Sequence, residues 1–280
     1  MKKTNKATLM SLALVTMLIL TLFPAAGLAQ GEKLSIQGST SVTPLMEKLV
    51  EAFPEADVIE CEIQGTGSSA GIKAAIEGTA QLGMSSRELK EEELAELTPV
   101  VIAMDGIAVV VNPENPVKAL TSEQVSQIFK GEIVSWSELG GDDAPIVLIS
   151  REAGSGTRDA FEELMKLVSD KDGKPLSLVD MAGPLIATGN GEVKQNVATK
   201  KGAVGYLSLG SVDDTLTALE IDGAPATTEN VKDKSYPIAR PFILVTKGEP
   251  VENAQKMLDF ILGAEGQAIV AANHYITVVD

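Results

Sequence analysis

The sequence predicts an α/β fold of two lobes, each a mainly parallel sheet flanked by helices and joined by two hinge crossings. Two observations predict it. Short apolar runs of strand character alternate with helical patterns along nearly the whole chain. Proline-bearing breaks at Asn112-Pro113-Glu114-Asn115-Pro116 and at Tyr236-Pro237-Ile238-Ala239-Arg240-Pro241 interrupt that alternation twice.

The elements follow in order. Lys2, Lys3 and Lys6 precede an apolar run from Ala7 to Phe23, and Gly27 and Ala29 are small enough for signal-peptidase cleavage before Gln30. Residues 1–29 therefore read as an export signal, with an uncleaved membrane anchor as the alternative. No cysteine in this stretch could carry a lipid. Leu34–Gln37 then reads as a strand, Thr43–Phe53 as a helix, Val58–Ile63 as a strand and Ala70–Glu77 as a helix. Ala80–Met84 and Val100–Val111 read as strands on either side of Glu88–Glu96, an acidic helix face expected to be solvated. In the second block Thr121–Phe129 is a helix capped by Thr121 or Ser122 with Gln124 near the third position, Ile146–Ser150 a strand and Thr157–Val168 a long helix. Val193–Ala198 and Gly202–Leu207 repeat the helix–strand theme; Phe242–Thr246 is a strand and Glu252–Leu262 the last helix. With crossings near Val111-Asn112 and between Ile238 and Pro241, one lobe comprises 30–111 plus 240–280 and the other 112–239.

Without the leader, 20 basic residues stand against 39 acidic ones, a net charge of −19. Such a surface disfavours nucleic acid and anionic membranes, and it repels an anionic solute at long range. An anion would have to be held by local groups. Cys61, alone in Val58-Ile59-Glu60-Cys61-Glu62-Ile63, is expected to be a buried small apolar residue without a disulfide.

Three segments share one design, in which a strand ends, small hydroxyl and glycine residues follow, and a helix begins: Gly38-Ser39-Thr40-Ser41, Gly65-Thr66-Gly67-Ser68-Ser69 and Gly154-Ser155-Gly156-Thr157. Helix starts expose unpaired N–H groups and a partial positive charge, hydroxyls add donors, and glycine admits close approach. Any one of them is ordinarily an N-cap, but parallel α/β sheets gather such turns beyond the carboxyl ends of their strands. Arg151 precedes the third turn and can clamp a tetrahedral anion through its planar fork, the alternative being a surface ion pair with Glu152 or another acid. Other chemistries lack their residues. There is no nucleotide P-loop, no third glycine at dinucleotide spacing after Gly65-Thr66-Gly67, and no nucleophile elbow around Ser155. His274, the only histidine, reads as a surface or structural residue, and His and Cys are too few for a transition-metal site. No cofactor or metal is expected.

The order Gly38-Ser39-Thr40-Ser41, Gly65-Thr66-Gly67-Ser68-Ser69-Ala70-Gly71, Gly83-Met84-Ser85-Ser86, Arg151-x-x-Gly154-Ser155-Gly156-Thr157 and Gly202-Ala203-Val204-Gly205-Tyr206 resembles the phosphate-binding proteins of ABC transporters. The resemblance spans almost the whole exported chain, and the Arg151–Thr157 block is its most specific part. It implies a type II periplasmic-binding-protein fold that closes on a dehydrated phosphate, an exported monomer, and a membrane permease as partner. By position it implies phosphate contacts from the Thr40 hydroxyl, the Ser41 N–H or hydroxyl and Ser68 on one lobe, and from Arg151, Ser155, the Gly156 N–H and Thr157 on the other.

One departure matters. Ser86 stands where members of the family carry an aspartate that accepts the proton of phosphate and thereby excludes sulfate. Asp105 could supply that carboxylate from the next strand, or be a strand-end cap or turn residue. Arg87 could add positive charge or pair with Asp105. Receptors for sulfate, molybdate or tungstate are the alternative within the binding class, and a secreted phosphoester hydrolase the alternative outside it.

Overall fold

The computed structural model describes residues 32–171 and 174–279; the export signal expected over 1–29 lies outside them. The chain runs β1 (Glu32–Gly38), α1 (Thr43–Glu51), β2 (Ile59–Gly65), α2 (Ser68–Glu77), β3 (Leu82–Ser85), α3 (Glu91–Leu94) and β4 (Thr98–Val111). It continues through β5 (Ala119–Leu120), α4 (Ser122–Phe129), β6 (Val147–Arg151), α5 (Gly156–Leu164), the β7–β8 hairpin (Val168–Lys171, Lys174–Ser177), β9 (Leu185–Ala187), α6 (Asn190–Thr199) and β10 (Ala203–Ser208). Short strands β11 (Thr217–Ala218) and β12 (Glu220–Ile221) precede α7 (Thr228–Lys232), β13 (Ala239–Thr246), α8 (Glu252–Leu262) and α9 (Ala264–Ala272).

One mixed sheet carries the fold in the order β2-β1-β3-β13-β4-β10-β6-β9, with β11 added to β4. Its two ends are parallel, β1 with β2 and β3, and β6 with β10 and β9. Its middle is antiparallel. The 14-residue β4 pairs with β13 from Thr98 to Gly106 and with β10 from Ile107 to Val111, so it changes partner between Gly106 and Ile107. Pro241 is tolerated in β13 because β3 joins that strand only at Ile243–Val245. The missing N–H therefore falls where one side of the strand has no neighbour.

Each half of the sheet has its own core. Leu34, Ile36, Leu45, Met46, Leu49, Phe242, Met257 and Ile261 pack under β1–β3 and β13. Val109, Phe129, Trp136, Phe161 and Tyr206 pack under β10 and β6, with the Phe161 and Tyr206 rings stacked at 4.0 Å. A fully buried side chain of this size is worth roughly 1.5–3 kcal/mol, so both halves are anchored independently.

Several boundaries differ from expectation for local reasons. Helix α5 stops at Leu164 rather than Val168. Lys166 takes a left-handed φ of 56°, its N–H donates to the Glu163 carbonyl, and the Leu167 N–H reaches back to Glu162, which closes the helix end. Over Glu88–Glu96 only Glu91–Leu94 is helical, and Glu93 is not a solvated charge (see below). Cys61 lies on the edge strand β2 and is half-buried, not buried. Helix α9 and the β7–β8 hairpin were not expected. The box at α4 is as anticipated, with the Thr121 hydroxyl accepting from the Gln124 N–H and the Gln124 side chain from the Thr121 N–H. No helix among the described residues is long and apolar enough to cross a membrane.

Candidate functional site

The three glycine-hydroxyl turns meet at the seam between the two sheet halves. The β1–α1 turn is folded by Ser39, whose carbonyl accepts from the Val42 and Thr43 N–H groups and whose hydroxyl accepts the Ser41 N–H. The Ser41 N–H is therefore engaged within its own turn, and the Ser41 hydroxyl faces the seam, 2.8 Å from the Thr157 hydroxyl. At the start of α2 the Ser68 hydroxyl accepts the Ser86 N–H at 3.1 Å and lies 3.4 Å from the Ser86 hydroxyl. Ser39 in turn donates to Ser86 at 2.8 Å.

From the other half, α5 starts against this cluster. Gly154, with φ of +86°, makes the turn, and its carbonyl accepts the Ser69 N–H at 3.1 Å. Ser155 is the N-cap, its hydroxyl accepting from the Arg158 N–H. Gly156 presses so closely on the opposite turn that a Cβ there would stand 2.2 Å from Ser68 Oγ and 2.9 Å from Ser86 Oγ. Only glycine permits that approach. Thr40 is half-buried; Ser41, Ser68, Ser86, Ser155 and Thr157 are buried.

Arg151 ends β6 and is 1% exposed. Its Nε and Nη2 donate to the two oxygens of Glu152 at 2.8 Å, so the anticipated pair exists, but it is buried on the arginine side. The remaining edge of the fork donates from Nη2 across the seam to Thr40 Oγ1 at 2.9 Å and from Nη1 to Asn190 Oδ1 of its own half at 3.2 Å. A guanidinium aligned in this way is pre-set for a planar two-point contact.

Asp105 lies within β4, not at a strand end, and does not meet the hydroxyls directly. Arg240 stands between them. Its Nη2 donates to Asp105 Oδ2 at 3.1 Å, and its Nη1 donates to Thr157 Oγ1 at 2.6 Å and to the Ser86 carbonyl at 3.1 Å. Burial pushes the Asp105 carboxyl above its ordinary range, against the pull of Arg240, the Ser208 hydroxyl and the Gly210 N–H. Arg87 does not pair with Asp105. It donates from Nη1 and Nη2 to Glu93 at 2.8 Å each, and from Nε to Asp159 on α5 at 2.9 Å. Burial opposes the charge of Glu93, but the bonds from Arg87 and the Lys90 N–H outweigh it and hold the carboxyl below its usual range. His274 is exposed.

Two residues of this seam do not stand out in the sequence as site residues. Asn190 contacts Arg151, Ser41 and Ser211, and it opens α6 from Thr188-Gly189-Asn190-Gly191, the same small-residue helix start that marks the other three turns. Arg240 shows only as a lone cation at the head of the apolar run Phe242–Val245, a position that demands a buried partner.

Two sheet halves that share β4 and face each other across buried hydroxyls and guanidinium groups define a solute-binding protein of the type II periplasmic-binding-protein fold. In agreement, the profile of the PBP superfamily domain matches residues 24–265. The phosphate-binding protein PstS of Bacillus subtilis is 33% identical over 300 residues, covering 99% of this chain and 96% of the relative. A solved Clostridium perfringens structure, described as a phosphate ABC transporter substrate-binding protein with bound phosphate, is 47% identical with a TM-score of 0.81, covering 88% of this chain and all of that one. An ABC-type phosphate transport receptor from Vibrio cholerae is 34% identical with a TM-score of 0.72 over 87% of this chain and 99% of its own. The chain belongs to the PstS family of phosphate-binding proteins.

Proposed function

We propose that this protein is an extracytoplasmic receptor that captures inorganic phosphate at the seam and delivers it to the permease of an ABC importer. The observation that carries the reading is convergence. Thr40, Ser41, Ser68 and Ser86 from one side meet Arg151, Gly156 and Thr157 from the other, each as a potential hydrogen-bond donor. The sheet halves act as lobes that divide where β4 changes partner between Gly106 and Ile107 rather than at Val111-Asn112, since Ile107, Val109 and Val111 pack in the second core, and phosphate bridges them on closure. The present contacts between Arg151 and Thr40, and between Ser41 and Thr157, are those that an anion's oxygens would replace. Ser155 completes the turn as the cap of α5 while its own proton stays available.

The reading is of binding without chemistry. The hydroxyls adjoin donors and one another rather than a base, so none is activated as a nucleophile. The phosphate bound in the Clostridium structure supports the ligand class. The test is titration calorimetry of the chain lacking residues 1–29 with phosphate. Saturable one-to-one binding of micromolar strength or tighter, about 8 kcal/mol, is expected; absence of heat and of any thermal stabilisation by phosphate would overturn it.

A further inference from the structure

The main chain of Arg151 is held as closely as its side chain. Along a strand, successive N–H groups point to opposite sides. The Glu152 N–H donates to the Ala187 carbonyl of β9, so the N–H and carbonyl of Arg151 face the β10 side. There β10 pairs with β6 only at Val147 and Leu148 and offers no ladder at Arg151. Two side chains take its place. The Arg151 N–H donates to the Tyr206 hydroxyl at 3.3 Å, and Arg158 Nη1 donates to the Arg151 carbonyl at 3.1 Å. Without them a buried donor and a buried acceptor would stand unpaired at the end of β6.

Both side chains are themselves locked. Tyr206 is fully buried, its ring stacked on Phe161 at 4.0 Å and its hydroxyl 2.9 Å from Ser150 Oγ. Arg158 is 9% exposed and directs its other donors at two carboxylates, Nε to Glu162 at 2.7 Å and Nη2 to Asp180 at 2.8 Å. Helix α5 does not depend on Arg158 for its own place. Ser155 caps it, Asp159 is tied to Arg87, and Phe161 is set in the second core. The element that leans on Arg158 is therefore the end of β6, from which the Arg151 fork starts.

Resting on the reading that the seam binds phosphate, we propose that Arg158 is a positioning residue for Arg151, with Tyr206 as the second clamp on the same main chain. A planar fork makes its two-point contact only when it is held to within about 0.5 Å. The fork sits at the far end of a long side chain, so any drift of the β6 end is passed on to it in full. Arg158 and Tyr206 suppress that drift from behind the strand.

The experiment is titration calorimetry with phosphate, on each variant alone and again in an Arg151→Ala background. Arg158→Met with Glu162→Gln removes one clamp without leaving a buried charge unpaired, since Asp180 is half-open to water. Tyr206→Phe removes only the hydroxyl and keeps the stack. Trp136→Phe deletes a hydrogen bond to the Gly202 carbonyl in the same core and is the control for lost stability. The Arg158 pair variant should bind phosphate about tenfold or more weakly and Tyr206→Phe several-fold more weakly. Arg158→Lys should recover part of the first loss, and Trp136→Phe should stay within about twofold of wild type although it melts earlier. With Arg151→Ala there is no fork left to place, so the losses from Arg158 and Tyr206 should shrink to within about twofold. Losses equally large with and without Arg151 would overturn the proposal, as would a Trp136→Phe loss as large as theirs. Unchanged affinity in both the pair variant and Tyr206→Phe would overturn it too, and Tyr206→Phe carries the test alone if the pair variant does not fold. A wild type that binds no phosphate would instead overturn the reading on which the proposal rests.

Discussion

Gly156 and Ser68 are packed backbone against hydroxyl across the seam, with no room for even a methyl group between them. The start of α5 is thus seated on the start of α2, and the closeness of the two turns depends on one missing side chain. Gly156→Ala should weaken phosphate binding by about tenfold or more, since a contact under 3 Å forces the halves apart or the turn out of shape. Calorimetry reads the loss, and small-angle scattering with phosphate present should show a larger radius than the wild type.

Arg151 reaches across the seam from the second half, Nη2 donating to Thr40 Oγ1 at 2.9 Å. Arg151→Ala should reduce phosphate affinity by about a hundredfold or more, the scale of two lost charge-assisted hydrogen bonds. Its fold should survive, because Glu152 keeps a quarter of its side chain exposed and can turn to water. Arg151→Lys keeps the charge but not the fork and should fall between the two, and equal affinity of Lys and Arg variants would show that geometry does not matter there.

Arg87 and Asp159 tie the first half to α5 at 2.9 Å, with Asp159 39% exposed. A pair so open to water is worth only about 0.2–1 kcal/mol, so Asp159→Asn should leave equilibrium affinity within a few-fold of wild type. The change should appear as faster phosphate release in stopped-flow traces, and it should shrink in high salt.

Glu93 gives the fold a pH dependence of known sign. Its carboxyl is held below the ordinary range, so it binds fewer protons folded than unfolded. The stability it contributes is present above the ordinary glutamate range and is lost as pH falls through the lowered value. Glu93→Gln should cost roughly 1.5–3 kcal/mol at neutral pH, as for a hydrogen bond to a charged group. That cost should vanish in acid, measured by denaturant unfolding at both ends of the range.

Much of the fold was legible because it rests on local pattern. The strands and helices around Leu34–Glu77 alternate with the periods their geometry imposes, and the Thr121–Gln124 box declares its helix start. The turns at Thr40, Ser68 and Gly156 were legible for the same reason, as departures from a regular element that glycine and hydroxyl residues make affordable. What was not legible is pairing at a distance. Asp105 and Arg240 are 135 residues apart, and nothing near either names the other. Arg87 finds Glu93 within its own loop but Asp159 72 residues away. Helix α5 ends four residues early because Lys166 takes a left-handed conformation that no sequence preference of lysine announces. Asn190 is the exception, since its turn has the same composition as the others and could have been read with them.

The passage of β4 through both halves, with the chain returning beside it into β13 at Ala239, limits how the molecule can move. Two flexible loops would let the halves slide, swivel or separate freely. Here the register is fixed, Ala239 opposite Gly106 and Ser208 opposite Ile107, so neither strand can slip along its neighbour without breaking a ladder. If the halves act as lobes, the motion this register allows is bending across the paired strands near residues 106–107 and 238–239. Thr40 and Arg151, Ser41 and Thr157, and Gly156 and Ser68 would then part and rejoin in concert, and an anion that satisfies one of these pairs has already been positioned for the rest.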